Sequence, residues 1–504
     1  MFMKARLLAT TTLLLSLLAA SADKPNIIYI LADDLGYGDV QCLGGERSKI
    51  ATPHIDQLAA NGITLTEAHS TSAVCTPSRY SVLTGRYNWR TTLQKGVFGG
   101  YGKPLIKADR LTVPSLLRKH GYATACIGKW HLGMDIVRND PQAEIGNGPT
   151  TRGFDYFFGI SASADMAPYA FIENTRFTEA PTEIKELYKG RPGPAAPSFK
   201  MVDILPRLVQ KSGEWIEKNK AQPFFLYLPL NSPHTPLAPT GDWKGKSGLG
   251  DYADFVMQTD WAVGEVVKAV EKSGLSNNTL IILTSDNGYA PYVGTAVHDD
   301  PALSFEAQGA FANLEAKGHF PSELRRGYKA DVWDGGHRIP FIARWPAKIQ
   351  KGSSSNELVC LSDLIATCAV IVDTTLPASA GEDSVSILPL LLGEPFKPSR
   401  EAVVHHSING SFAIRRGKWK LNLCPSSGGW SDPKPNSSEA NRLPEVQLYD
   451  MEKDVGERSN EAANHPAIVE SLITLLQKYI ADGRSTPGAI QKNDAKIEIW
   501  KEKQ

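Results

Sequence analysis

Four stretches of this chain end in residues that could share one piece of chemistry. Asn26-Ile27-Ile28-Tyr29-Ile30-Leu31-Ala32 runs into Asp33-Asp34, and Ala123 to Ile127 runs into Gly128-Lys129-Trp130-His131. Phe224 to Leu230 leads to Asn231-Ser232-Pro233-His234, and Thr279 to Thr284 leads to Ser285-Asp286-Asn287-Gly288. Carboxylates and an amide are hard oxygen donors, suited to Ca²⁺ or Mg²⁺ rather than Zn²⁺. Adjacent acids such as Asp33-Asp34 repel each other unless something positive lies between them. A lysine and histidines beside them could hold an anion and move protons. A fifth stretch, Cys75-Thr76-Pro77-Ser78-Arg79, would set a cysteine just ahead of a helix begun by Pro77. The start of a helix attracts anions.

Such residues need a frame that brings distant segments together. Near-continuous apolar runs of this length are expected of parallel strands buried on both faces. Helical patterns lie between them: Leu111 to His120, closed by Gly121, and Asp254 to Lys272, with Phe255, Val263, Val266, Val267 and Val270. This alternation predicts a doubly wound α/β sheet, in which ligands bind beyond the carboxyl ends of the strands. Past residue 400 the texture changes. Phe412 to Leu423 reads as a hairpin turning at Arg416-Gly417, Gln447 to Asp450 as a strand, and Pro466 to Ile480 as an amphipathic helix. The expected division is a catalytic domain over 23–400 and a smaller α+β subdomain over 401–504. Pro181 to Pro197 reads as a Pro/Gly/Ala-rich loop, and no internal repeat is present.

Composition narrows the classes. The 504 residues carry 54 Lys+Arg against 54 Asp+Glu, which argues against a nucleic-acid binder or a polybasic membrane binder. Hydrophobic residues at 42% and charged residues at 21% match a folded globular protein rather than a disordered one. Six cysteines are too few for a disulfide scaffold, and most read as small core residues. Leu358 to Val372 looks helical, which would hold Cys360 and Cys368 about 12 Å apart, too far for a bridge. At the N-terminus, Lys4 and Arg6, the apolar run Leu7 to Leu18 and Ala20-Ser21-Ala22 read as a cleavable export signal over 1–22. The mature chain would begin near Asp23, periplasmic or secreted, without a membrane anchor.

Cys75-Thr76-Pro77-Ser78-Arg79, continued by Leu83-Thr84-Gly85-Arg86, resembles the signature of the formylglycine-dependent sulfatases. The chain resembles the arylsulfatase A and galactosamine-6-sulfatase-like branch, and the likeness runs from Pro25 to about Asn460. It implies a large mixed sheet flanked by helices, of the alkaline-phosphatase-like kind. It also implies that a maturating, formylglycine-generating enzyme converts Cys75 to formylglycine, whose hydrate is the nucleophile. Asp33, Asp34, Asp286 and Asn287, with position 75, match the metal ligands, and Ca²⁺ is implied ahead of Mg²⁺. Gly128-Lys129-Trp130-His131-Leu132-Gly133 assigns Lys129 to sulfate and His131 to the formylglycine hydroxyl. His234 would protonate the leaving alcohol, Lys329 would be a second sulfate-binding lysine, and Arg79 would support the hydrated aldehyde. Ser163, in Gly159-Ile160-Ser161-Ala162-Ser163, is either a sulfate contact or a loop-capping serine.

The chain departs from the pattern in an insertion-like stretch, Tyr289 to Glu323, and in His337 after Gly335-Gly336. His298, Asp299 and His337 are therefore candidate sugar contacts, or else loop structure. The reaction implied is hydrolysis of a sulfate monoester. The substrate would be a sulfated small molecule or glycan, with sulfated galactose or N-acetylgalactosamine preferred. The alternatives are an arylsulfatase, a phosphatase or phosphodiesterase of the same superfamily, and a non-catalytic carbohydrate binder.

Overall fold

The computed structural model describes residues 24–291 and 314–502. The export signal over 1–22, and His298 and Asp299, lie outside the described residues. Ten strands form one mixed sheet. At its centre five run parallel, side by side: Thr279–Ser285, Asn26–Asp33, Phe224–Pro233, Ala123–Lys129 and Tyr156–Ile160. These include all four predicted apolar runs. Short strands extend both flanks, the first on each side antiparallel: Phe341–Arg344 beside Thr279–Ser285 and Ile172–Glu173 beside Tyr156–Ile160.

The central runs are almost continuously apolar because both faces are covered. Ile28 and Ile30 face one core with Leu226, Leu228, Ile281 and Leu283. Ile27, Tyr29 and Leu31 face the other with Phe225, Tyr227, Leu280 and Ile282. Each such side chain contributes about 1.5–3 kcal/mol on burial. Helices Ile204–Asn219 and Asp251–Lys272 cover the first face through Leu208, Ile216, Val263, Val266 and Val270. Helices Cys75–Thr84, Val113–Lys119 and Leu364–Ile371 cover the second.

Val403–His406, Phe412–Arg416, Trp419–Asn422 and Gln447–Asp450 form a separate four-stranded antiparallel sheet; it contains the expected hairpin, with Arg416 paired to Trp419 and the turn at Gly417-Lys418, one residue on from Arg416-Gly417. Helix Pro466–Ala481 packs on it through Leu472, Leu475, Leu476 and Tyr479. Tyr87 and Trp89, just after the Cys75 helix, enter this same core. The small sheet is thus fastened by apolar contact close to the Cys75 helix.

Three local expectations are corrected. Leu358 to Val372 is not one helix: Val359–Cys360 is a strand, and the helix begins at Leu364. The cause is Asp363, whose carboxylate accepts the Cys360 amide at 2.9 Å and starts a new turn there. All six cysteines are free, and only Cys42 is exposed. Within the loop expected over 181–197, Glu183–Lys185 pairs with Gly193–Ala195. Finally, the helix begins at Cys75 itself, with Pro77 in its first turn, where a missing N–H costs nothing. No helix among the described residues is long and apolar enough to cross a membrane.

Candidate active site

The parallel strands deliver their polar ends to one place. Asp33 closes the Asn26–Asp33 strand, Lys129 closes Ala123–Lys129, and His234 follows Phe224–Pro233. Asp286 and Asn287 follow Thr279–Ser285. The ends are stitched together: the Asp34 amide donates to Asp286 Oδ1 at 3.2 Å, and the Leu35 amide to Ser285 Oγ at 2.9 Å. Close approach requires glycine. A Cβ on Gly128 would lie 1.9 Å from the Pro229 carbonyl oxygen, and one on Gly288 1.9 Å from that of Gly335.

Two site residues that are not glycine hold a left-handed backbone, Asp34 at φ 67° and His131 at φ 56°. That conformation costs roughly 1–3 kcal/mol, and packing around each must enforce it. For His131 the restraints are its amide, which donates to Ser161 O at 3.0 Å, and its ring, 2.7 Å from Phe98 O. A carbonyl only accepts, so the ring carries its proton on Nε2. Nδ1 is then a bare acceptor, buried and with no hydrogen-bond partner among the described residues. His234 is ordered likewise: its Nδ1 donates to the Thr235 carbonyl, and its Nε2 lies 3.6 Å from Asp34 Oδ2.

Around these histidines sits a buried cluster of three acids and three bases. Lys129 Nζ is 2.7 Å from Asp33 Oδ2, and Lys329 Nζ is 2.7 Å from Asp34 Oδ1. Arg79 reaches Asp286 Oδ2 at 2.7 Å, Asp33 Oδ1 at 3.2 Å and the Lys129 carbonyl at 3.2 Å. Its guanidinium therefore braces the acids as well as standing one turn from Cys75. Asn287 Nδ2 donates to Asp34 Oδ1 at 2.7 Å, and the Cys75 thiol lies 3.5 Å from Asp33 Oδ1.

Burial raises all three carboxyls, and their partners then separate them. Lys129 and Arg79 bring Asp33 well below the usual carboxylate range despite its burial. Asp34 has Lys329 but also Asp33 beside it, and burial leaves it raised. Asp286 is pushed up to about 6 by burial, with Asp33 and Asp34 opposing the help from Arg79. Burial, with Lys329 next, lowers His234 to about 3, and burial with Lys129 holds His131 well below its ordinary value. Both rings are neutral at neutral pH. Burial also pushes the Cys75 thiol up, so the unmodified side chain is a thiol rather than a thiolate.

The cluster fits a divalent ion. One ligand atom each from Asp33, Asp34, Cys75 and His234 lie within 4.8 Å of one another. Two of the three acids are raised, the sign of carboxylates crowded beyond the positive charge beside them. Asn287 Oδ1 is buried with no hydrogen-bond partner among the described residues, an acceptor already turned away from the protein's own donors. Oxygen donors of this kind suit Ca²⁺ or Mg²⁺.

The remaining predicted residues fall on both sides of the boundary. Ser163 is buried near this end of the sheet, and its Oγ has no hydrogen-bond partner among the described residues. His337 is an interior residue. It is 0% exposed, its ring centroid is 4.8 Å from that of His405, and neither ring nitrogen has a hydrogen-bond partner among the described residues. The short helix Asp334–His337 carries it inward, which its place after two glycines could not reveal. Spacing also missed Phe98, whose carbonyl holds His131, and Asp165, whose charge reaches His234. A backbone carbonyl has no sequence signature. Asp165 had a faint one, as the only acid in the loop 161–171.

The correction at His337 can be measured. Burial and the nearby His405 and Lys420 hold its ring well below its ordinary value, so folded His337 stays neutral. Below about pH 6.5 the unfolded chain protonates it and the folded chain does not, so acid favours unfolding. His337→Leu removes that penalty and a buried unmet polar group, together worth about 1–3 kcal/mol. Its Tm is expected to exceed wild type, by more at pH 5.5 than at pH 7.5, with turnover unchanged. Loss of turnover at an unchanged Tm would restore the sugar-contact role.

Comparison with known proteins agrees with this geometry. The sulfatase family model matches residues 25–373. N-acetylgalactosamine-6-O-sulfatase of Bacteroides thetaiotaomicron is 35% identical over 91% of this chain and 93% of its own. Human arylsulfatase A is 32% identical over 96% of this chain and 94% of its own. A solved structure from the metabolism of multiple glycosaminoglycans by Bacteroides thetaiotaomicron superimposes with a TM-score of 0.78. It is 34% identical and covers 90% of this chain and 99% of its own.

Proposed function

This chain belongs to the sulfatase family, a family of sulfuric ester hydrolases, and we propose that it is an exported enzyme that removes O-sulfate from a carbohydrate, a sulfated galactose or N-acetylgalactosamine of a host glycan or polysaccharide. The observation that carries the reading is the convergence of Cys75, Asp33, Asp34 and His234 within 4.8 Å at the carboxyl ends of parallel strands. A relative that acts on N-acetylgalactosamine 6-O-sulfate, at 35% identity, supports the sugar. Residues 23–400 would carry the catalysis, residues 401–504 would form the appended subdomain, and residues 1–22 would direct export. Cys75 is 2% exposed, so its conversion by a maturating enzyme would precede folding.

Converted to formylglycine, position 75 supplies a hydroxyl nucleophile toward sulfur, and a Ca²⁺ held by Asp33, Asp34, Asp286 and Asn287 supplies positive charge to the sulfuryl oxygens. The chain's own residues do the rest. Lys129 and Lys329, already beside the acids, bind the remaining sulfuryl oxygens, and Arg79 keeps Asp33 and Asp286 in place. Such fixed charges, prepared in a dry site, are the larger part of the catalysis. His234 is neutral in the free chain, and an anionic ester beside it favours its charged form. Its Nε2 then donates to the leaving oxygen, with Lys329 a second donor. His131 holds a lone pair on Nδ1 because Phe98 O occupies Nε2, so Nδ1 is the atom that accepts a proton as sulfate departs.

The test is a panel of regio-defined sulfated monosaccharides beside 4-nitrophenyl sulfate and 4-nitrophenyl phosphate. Sulfate release from a galacto-configured sugar is expected, with the phosphate ester slower than its sulfate twin. Turnover confined to non-sugar sulfates overturns the sugar. Preference for phosphate overturns sulfate hydrolysis itself. The 32% identity to arylsulfatase A supports the second reading, an aryl sulfate.

A further inference from the structure

We infer that Asp165, with Arg191 and Ser163, forms the subsite that reads neutral hydroxyls of the sugar carrying the sulfate. The inference rests on the carbohydrate reading above and adds the groups that recognise it.

Three observations lead there. The first is an unmet acceptor. Asp165 is 4% exposed, and its Oδ2 accepts from Arg191 Nη1. Its Oδ1 is buried and has no hydrogen-bond partner among the described residues, and Ser163 Oγ, two residues earlier, is in the same state. A buried carboxylate oxygen left unmet is costly, so it persists where a ligand completes it. The second is an available donor. The Arg191 side chain is 49% exposed, while its backbone carbonyl is tied at 2.6 Å by the buried Tyr169 hydroxyl. A guanidinium has five N–H donors in a fixed fork. Arg191 spends Nη1 on Asp165 and has others to offer.

The third observation is position. The strand Tyr156–Ile160 pairs Ile160 with Lys129 and so delivers the loop 161–165 to the site. The loop lies against His131, whose amide donates to Ser161 O at 3.0 Å. Asp165 and Arg191 therefore stand beside the sulfate pocket, within reach of the ring that bears the ester.

The chemistry selects the ligand. A carboxylate oxygen accepts from one hydroxyl while the adjacent guanidinium donates to its neighbour, which matches two vicinal hydroxyls of a pyranose. The pair is neutral overall, so it favours hydroxyls over a second sulfate or a uronate. An aryl ring or a sterol offers no vicinal hydroxyls to the pair. A site built to hydrogen-bond a hydroxyl discriminates strongly against analogues that lack it.

The experiment measures kcat/KM for 6-O-sulfated N-acetylgalactosamine and for 4-nitrophenyl sulfate, and the Ki of inorganic sulfate. It compares wild type with Asp165→Asn, Arg191→Gln and Ser163→Ala. Arg191 is half exposed and Ser163→Ala is small, so these two guard against misfolding of Asp165→Asn. The sugar-to-aryl ratio of kcat/KM is expected to fall about tenfold in Asp165→Asn and Arg191→Gln, and less in Ser163→Ala. The sugar should also lose more than inorganic sulfate does. Equal loss on both esters and on sulfate, or no change in the ratio, overturns the subsite. Wild type that turns over 4-nitrophenyl sulfate but no sulfated sugar overturns the carbohydrate reading, and this inference with it.

Discussion

Cys75→Ala is expected to lower turnover by about 10⁴-fold or more while leaving the protein folded. The size of the effect follows from what position 75 does in the proposed reaction. Binding groups such as Lys129 would still hold the ester, but no hydroxyl would be placed to attack sulfur. Cys75→Ser should fare little better. A serine has one hydroxyl where a hydrated aldehyde has two, so nothing remains to collapse and expel sulfate. The fold should survive because the thiol makes little structural contact. Its hydrogen bond to Asp33 is long, at 3.5 Å, and the helix is held by Val82 and Leu83 in the core and closed by Gly85. Losing one buried sulfur costs about 1 kcal/mol or so. Initial rates and Tm check both halves. Mass spectrometry of the peptide bearing position 75 checks the premise: an unmodified thiol in fully active native protein sinks it.

Removing the divalent ion is the second large effect. Chelation should abolish turnover and lower Tm, and Ca²⁺ should restore both better than Mg²⁺. Asp33, Asp34 and Asp286 are 0% exposed, and crowding with burial leaves Asp34 and Asp286 raised. An ion that binds only the folded chain stabilises it by about 2.7 kcal/mol at a hundredfold excess over its Kd. Asp34→Asn should therefore both cut turnover and shrink the Tm gain on adding Ca²⁺. The Tm gain is read independently of catalysis. Chelated protein shown by metal analysis to hold no divalent ion, yet turning over at full rate, would refute the site.

Much of this was legible before folding. Ile27 to Ala32 announces a strand buried on both faces, because a half-exposed strand would alternate apolar with polar residues. The run beginning at Cys75 was legible through its resemblance to a known signature, although the helix starts at Cys75 and not at Pro77. What failed did so where tertiary contacts overrode local pattern. Leu358 to Val372 has helical composition throughout, yet Asp363 takes the Cys360 amide and restarts the chain as a helix only at Leu364. His337 follows a glycine pair that suggested a pocket wall, but its helix turns it toward His405.

By itself, then, the sequence determined which side chains could do the chemistry and which strands would carry them. Both are local matters of residue type and of period along the chain. Only the tertiary structure decided how those side chains are coupled. Which acid stays ionised depends on which cations sit beside it: Asp33 is held low and Asp34 is not, though they are neighbours in the chain. Which nitrogen of His131 is free depends on a carbonyl at Phe98, and Asp165 finds Arg191 in the loop that joins Glu183–Lys185 to Gly193–Ala195. Electrostatic and hydrogen-bond energies depend on distance and burial in space. Those quantities exist only once the chain has folded.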